Sequence, residues 1–496
     1  MNTFIALLPL LCIFGLLFGF RLTAVKAGLI VLVLCILLVH FSSFHLNSEK
    51  IVHEVAKGGL ISFIAAYILF FGLFLYHLMN EKGVITSVAT FITNVTSDKL
   101  AQVLLIVIGF APLLESATGF GISFVILSPI LYALGFPGRK AVLIGLIGML
   151  AVPWGALSTG TVIGAELSGV PLEKIGMGSA ILSIPVFFYF LIIAALITGG
   201  ASALKKKWKE IVFLVAIFSI CICLFNQFVS VELAGVLSSM VTLLAQLCMI
   251  TFASKRSGSD ARTFVSAAKE ETKYGMLKVF SPYLFLTALI FVTRLVPPIK
   301  QWLLSTAVID LPAFSFSMPL LYSPGFWLLV TCIFTVVIFK MDGHEIKTAY
   351  INAVKQWVPF MISTTCFVAI AEIMTESGMI GQLSNRLAII FGSSYLFISP
   401  FIGGLGGYLT GSNTGSNAMF IPLQAHTAKQ LGISNELIIA IQNASGSHAT
   451  MGSPFRVVLG AELCNVREEQ TRLIKEIAFI VVGALLIISV MSFFLH

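Results

Sequence analysis

The stretch Glu115-Ser116-Ala117-Thr118-Gly119-Phe120-Gly121 is a small, polar, glycine-rich break inside an apolar run from Ala101 to Leu134. In hydrocarbon an unwound backbone is tolerated only where protein or a water-filled cavity satisfies its N–H and C=O groups, so a break of this kind marks a site. It has a counterpart in Gly411-Ser412-Asn413-Thr414-Gly415-Ser416-Asn417. Ser116 and Ser412, Thr118 and Thr414, Gly119 and Gly415, and Phe124 and Phe420 are each 296 residues apart. Gly164-Ala165-Glu166-Leu167 recurs as Gly460-Ala461-Glu462-Leu463 at the same spacing. Met79-Asn80-Glu81-Lys82-Gly83-Val84-Ile85 is matched by Met374-Thr375-Glu376-Ser377-Gly378-Met379-Ile380 at a spacing of 295. The chain reads as two halves around two breaks.

Of the 496 residues, 58% are hydrophobic and 10% charged, and the mean hydropathy is +1.01. A soluble domain could not cover that much apolar surface, so the chain is read as an all-α polytopic membrane protein. The eight cysteines lie largely in apolar segments without metal-type spacing, which argues for buried free thiols and against a disulfide framework. The net charge of +8 comes from Lys and Arg clustered in a few loops, as cytoplasmic loops of membrane proteins are, and nucleic-acid binding is not expected. Thr3 to Phe20 lacks a basic leader and a small-residue cleavage site, so it is read as a retained helix.

Charge bias sets the path. Arg21 and Lys26 place the first loop in the cytoplasm and the N-terminus outside, and the third span, Gly58 to Leu78, descends to Glu81-Lys82. An amphipathic interfacial helix is expected over Val84 to Val95. Lys99 and Arg139-Lys140 put both ends of residues 99–138 inside, which requires a re-entrant hairpin with its tip near Glu115. Residues 141–170, interrupted by Pro153-Trp154-Gly155 and Ser158-Thr159-Gly160-Thr161, form a discontinuous helix. The Lys205 to Lys209 run marks the cytoplasmic side, and residues 201–275 hold a linking helical hairpin and a basic cytoplasmic loop from Lys255 to Lys273. The first repeat is therefore 1–200 and the second 276–496, the latter with a hairpin at 393–430 and a broken helix at 434–466. About seven spans separate equivalent points, an odd number, so the halves should be inverted, with about 12 transmembrane helices and both termini outside.

In such a fold the two breaks meet near the midplane and present helix N-termini whose free N–H groups and partial positive charge suit a carboxylate. Ser116, Thr118, Gly119, Ser412, Asn413, Thr414, Gly415, Ser416 and Asn417 are the candidate substrate-binding residues, and Ser158, Thr159 and Thr161 stand behind them. Glu115, an ionisable group at the predicted midplane, is the first candidate proton carrier. His448 is a second candidate for the proton path, or a hydrogen-bonding residue. Arg456 needs an anionic partner at that depth, which either the substrate or a glutamate such as Glu462 would supply. Sodium coupling is the alternative, since Asn413, Thr414 and backbone carbonyls can ligate Na⁺. No metal-binding spacing, nucleotide loop or catalytic constellation stands out, so neither an enzyme nor a cofactor is expected.

At these residues the chain resembles the bacterial L-lactate permease family of lactate and glycolate proton symporters. Glu115 to Gly121 resembles the family's E-G-A-A-G-F-G, followed by Val152-Pro153 and Gly155-Ala156. Gly411 to Phe420 with Leu423-Gln424-Ala425 resembles G-S-D-T-S-S-N-A-L-F and L-Q-A. Asn413 stands where the family motif has an acid, and Thr450-Met451-Gly452-Ser453-Pro454-Phe455 where it has K-M-I-S-P-Q. The resemblance implies a bacterial inner-membrane carrier for small monocarboxylates, 2-hydroxy acids above all, working by proton symport and alternating access. Likeness to the wider superfamily of elevator-type anion carriers implies a moving core, a fixed scaffold and a homodimer. A sodium-coupled organic-anion carrier and an anion channel are the alternatives.

Overall fold

The structure, a computed structural model, describes residues 2–84, 87, 95–119, 121–256 and 274–496. Most of the expected interfacial segment Val84 to Val95 and of the basic loop beyond Arg256 lies outside them. Among the described residues ten helices are long and apolar enough to cross a membrane, or eleven if a bent pair counts as one span, against the 12 expected. Several helices begin where short polar side chains take up the unpaired N–H groups of a first turn. Thr23 accepts from the Lys26 N–H, Asn47 from Lys50, and Asp98 from Leu100 and Ala101. Asp342 and Glu345 form a reciprocal capping box.

Two long helices, Ser48–Glu81 and Gly343–Glu376, carry the matched Met79 and Met374 segments and run antiparallel. Their pairing can be followed from end to end. Lys50 meets Glu376 at 2.5 Å and Lys57 meets Glu372 at 2.6 Å, the Trp357 indole donates to the Ala66 carbonyl, and Lys82 meets Glu345 at 2.6 Å. Contact is close enough at Gly58 that a Cβ there would lie 2.7 Å from the Ala369 backbone.

Each break joins two antiparallel arms. Lys99–Thr118 and Ile122–Ala133 meet at their far ends, where the Lys99 ammonium donates to the Leu134 carbonyl and lies over the Phe136 ring. In the second unit, Tyr395–Thr410 and Asn413–Leu431 are pinned along their length. Tyr395 donates to Gln424 Oε1, Gln424 Nε2 donates to the Ser399 carbonyl, and Ser416 donates to the Gly403 carbonyl. The broken helices follow. Gly138–Ile147 passes through a 3₁₀ turn, Gly148–Trp154, into Gly155–Ser168, with a 48° bend. Asn435–Ala449 passes through Thr450–Gly452 into Pro454–Leu463. Leu157 and Ser158 take left-handed backbone at the first bend, a conformation that non-glycine residues hold only where surrounding structure enforces it.

Residues expected on the cytoplasmic side come together at one end. Arg139 pairs with Glu476 at 2.6 Å, Lys140 reaches the Thr198 carbonyl, and Lys207 pairs with Asp98 at 3.1 Å. Two local features shape the connections between spans. The Lys205–Lys209 run is helical, because the helix from Leu172 to Phe228 is interrupted only at Gly199 and Gly200, where φ of +68° at Gly200 admits the reversal that a loop would have supplied. Between the spans Met276–Leu295 and Pro324–Ile338 lie a short helix, Pro297–Ser305, and a β-hairpin pairing Val308–Leu311 with Phe316–Pro319. The hairpin is tied to the scaffold by His53, whose Nε2 lies 2.8 Å from the Ala313 carbonyl and whose ring stacks on Phe314.

Candidate functional site

The two breaks meet. A recess of roughly 30 Å³ is lined by Glu115 and Gly119 from the first tip, by Ser412, Asn413 and Thr414 from the second, and by Thr159 and Arg456 from the broken helices. Gly411, Ser412 and Arg456 also line a larger cavity of about 340 Å³. Its far wall is scaffold, including Gln356, Phe360, Thr364 and Phe367, and Gly121, Phe124 and Phe455 complete the near side. The larger space suits a small organic molecule, whereas the recess holds a group the size of one water.

Arg456 joins the halves. It is only 6% exposed, its Nη2 donates to the Gly411 carbonyl at 2.6 Å, and its Nη1 lies 3.0 Å from the Met149 sulfur. Its guanidinium also covers Gly121, where a Cβ would stand 3.0 Å from Cζ. Among the described residues no carboxylate lies within ion-pair distance of it. Glu462, a partner considered from sequence, pairs instead with Arg467 at 3.4 Å. Glu115 interacts with Arg456 electrostatically without an ion pair between them. A buried guanidinium has five N–H groups, and this side chain lines both cavities.

At the first tip the Ile122 N–H donates to the Gly119 carbonyl, and Glu115 accepts from the Gly121 N–H at 3.1 Å and from the Ser123 hydroxyl at 2.6 Å. A carboxylate thus sits at the start of Ile122–Ala133, where the helix end favours negative charge. At the second tip Ser412 is the N-cap, accepting from the Gly415 N–H, and the first N–H groups of the helix, on Asn413 and Thr414, have no intrahelical partner.

Behind the recess lies a network of buried amides. Asn413 and Asn417 both donate to Asn443 Oδ1 at 2.8 Å, and Asn417 also donates to the Gly160 carbonyl. Asn443 donates to Thr161 and Ser179, and Thr161 donates to the Pro153 carbonyl at 2.6 Å. The network links the second hairpin to both broken helices.

Glu115, Gly119, Thr159, Ser412, Asn413, Thr414 and Arg456 therefore line the recess, and Gly415 lines the larger cavity. Other candidates lie elsewhere. Ser116 packs against Gly235 and Trp154, and Thr118 donates back to Leu114. Ser158 donates to the Val231 carbonyl, and Ser416 is held within its own hairpin. Asn417 and Thr161 belong to the amide network. His448 is buried between Phe187 and Phe190 and bonds Ser183, outside both cavities. Sequence reading missed Ser123 and Asn443. Asn443 left a signal, since Gln442-Asn443 is an amide pair beside the apolar Ile438-Ile439-Ala440-Ile441.

A polytopic helical protein whose broken segments close around an unpaired buried cation has the build of a membrane carrier. The sequence profile described as L-lactate permease matches residues 2–321 and 309–496, and the chain belongs to that family. It is 28% identical over 433 residues to an L-lactate permease of Escherichia coli K12, covering 79% of this chain and 77% of the relative. An L-lactate permease of Bacillus subtilis is 26% identical over 99% of this chain and 95% of its own length. Glycolate permease GlcA of Escherichia coli K12 is 25% identical over 92% and 89%. The protein is a multi-pass membrane transporter and not an enzyme.

Proposed function

We propose that the protein carries lactate, glycolate and similar small 2-hydroxy monocarboxylates across the bacterial inner membrane as a proton symporter, with both termini outside. The observation that carries this reading is Arg456, a buried cation without a carboxylate partner among the described residues, at the meeting point of the two breaks. The carboxylate takes its free N–H groups, assisted by the start of the Asn413 helix, and the carbon chain lies against Phe360 and Phe367.

Glu115 couples the proton to the anion through charge. When ionised it offsets the field of Arg456, and when protonated it leaves that field to the substrate, so proton and anion each strengthen the binding of the other. The donors on Glu115 fit both states, because the Ser123 hydroxyl can donate to a carboxylate or turn to accept from a carboxyl. Movement of the two hairpins against the Ser48–Glu81 and Gly343–Glu376 scaffold provides alternating access.

The sodium-coupled alternative would place a second cation beside Arg456 and a helix N-terminus, both of which oppose it. In proteoliposomes of the purified protein, an inward proton gradient should drive uptake of labelled L-lactate equally in sodium and in choline buffers. Uptake that required sodium and ignored the proton gradient would overturn the proposal in favour of the alternative, and current under voltage alone would favour a channel.

A further inference from the structure

The cavity beside Arg456 is larger than lactate needs. Its volume is about 340 Å³, whereas an apolar cavity of about 150 Å³ accommodates benzene, which has as many non-hydrogen atoms as lactate. With a lactate carboxylate on Arg456, about half of the space stays unfilled by the substrate.

The walls indicate what would fill it. Phe124, Phe455 and Leu459 line it from the elements around the two breaks, and Phe360 and Phe367 line it from the scaffold helix Gly343–Glu376. Hydroxyl groups on the same walls are spent on their own helices. Ser363 donates to the Pro359 and Phe360 carbonyls, and Thr410 donates to the Gly406 carbonyl, so the surface offered to a ligand is chiefly apolar. Among the described residues Arg456 is the only ionisable side chain lining the cavity. A second carboxylate or an ammonium on the ligand would find no partner there.

We infer that the preferred cargo is a 2-hydroxy monocarboxylate with a larger apolar side chain than lactate, a longer alkyl group or a phenyl ring, held between Phe455 and Leu459 on one wall and Phe360 and Phe367 on the other while Arg456 holds the carboxylate. This rests on the monocarboxylate reading above and changes which member of that class fits best. Each methylene taken from water onto these walls should tighten binding by about two- to fourfold, full burial giving the upper figure. Lactate, with a single methyl group, leaves most of that gain unused.

The test uses proteoliposomes of the purified protein, with protein-free liposomes as the control for acids that cross the bilayer unaided. The L forms of lactate, 2-hydroxybutanoate, 2-hydroxyhexanoate and 3-phenyllactate compete against uptake of labelled L-lactate, and each is then added outside vesicles preloaded with labelled L-lactate. Inhibition should strengthen along the series, by at least about eightfold from lactate to 2-hydroxyhexanoate. The phenyl acid should inhibit at least as well, and all four should accelerate release of the label. Ser363→Phe, which builds a ring into the scaffold wall, should weaken inhibition by 3-phenyllactate at least about tenfold relative to L-lactate in the same vesicles. Flat or falling inhibition along the wild-type series, which decides the matter even if the variant does not fold, would make the space a water-filled vestibule. That overturns the inference and leaves the carrier reading intact. Tight inhibition without accelerated release would make the longer acids blockers rather than cargo, and an unchanged ratio in folded Ser363→Phe would place their side chains elsewhere; either overturns it. If wild type takes up neither labelled L-lactate nor labelled 3-phenyllactate above the control, the underlying reading fails as well.

Discussion

Arg456→Gln is expected to abolish measurable monocarboxylate uptake. The guanidinium is buried and binds the Gly411 carbonyl, and among the described residues no other cation lines either cavity. Removing one partner of a buried, hydrogen-bonded charge pair costs about 2–5 kcal/mol, which corresponds to roughly 30-fold to several-thousandfold in affinity. Gln keeps a donor for Gly411, so the tip can stay in place while the charge is lost. Arg456→Lys should fall in between, because an ammonium is a point charge and cannot reach Gly411, Met149 and a carboxylate with the geometry of a planar fork. Uptake kinetics of both variants, with thermal unfolding of the purified proteins as control, checks this. Near-normal Michaelis constants in Arg456→Gln would remove Arg456 from the binding site.

Glu115→Gln should separate binding from coupling. The amide resembles the protonated carboxyl in shape and charge, so exchange of internal for external lactate should persist and lose its dependence on pH. Accumulation against a gradient should disappear. With one proton per anion, an inward gradient of one pH unit supports about tenfold accumulation, and the variant should instead stop at equal concentrations on both sides. Concentrative uptake that survives in Glu115→Gln would assign the proton to another group.

The two breaks that share the recess were legible because polar, glycine-rich residues in an apolar run leave marks that hydropathy does not blur. Polar breaks at Glu115 and Gly411 stand out in apolar surroundings, and a shared register locates the second from the first. Lys99, Arg139 and Lys207 were legible for a different reason, since charge bias reports the side of the membrane and those residues gather at one end. The site was legible only in part. Ser116 and Thr118 match Ser412 and Thr414 in sequence, yet a helix turns side chains by its own period, and neither residue of the first pair reaches the recess. Glu115 finds its donors six and eight residues onward, across a turn whose geometry sequence does not give.

The partner of Arg456 turned on a contact that spacing cannot choose. Glu462 lies six residues along the chain, but it is 44% exposed in its side chain and pairs with Arg467. Asn443 acts through four amides and hydroxyls drawn from three other helices, a relation visible only once the helices are packed. The β-hairpin at Val308–Pro319 had a local signature in its alternation, but it was overshadowed by the apolar spans around it.

The central claim is that two broken helical regions close on Arg456 and hold an organic anion there. Its most direct test is an experimental structure of the protein with L-lactate bound. The account predicts ligand density at the mouth of the recess, with the carboxylate on the Arg456 guanidinium. Density seated elsewhere, with Arg456 contacting only Gly411 and Met149, would contradict it.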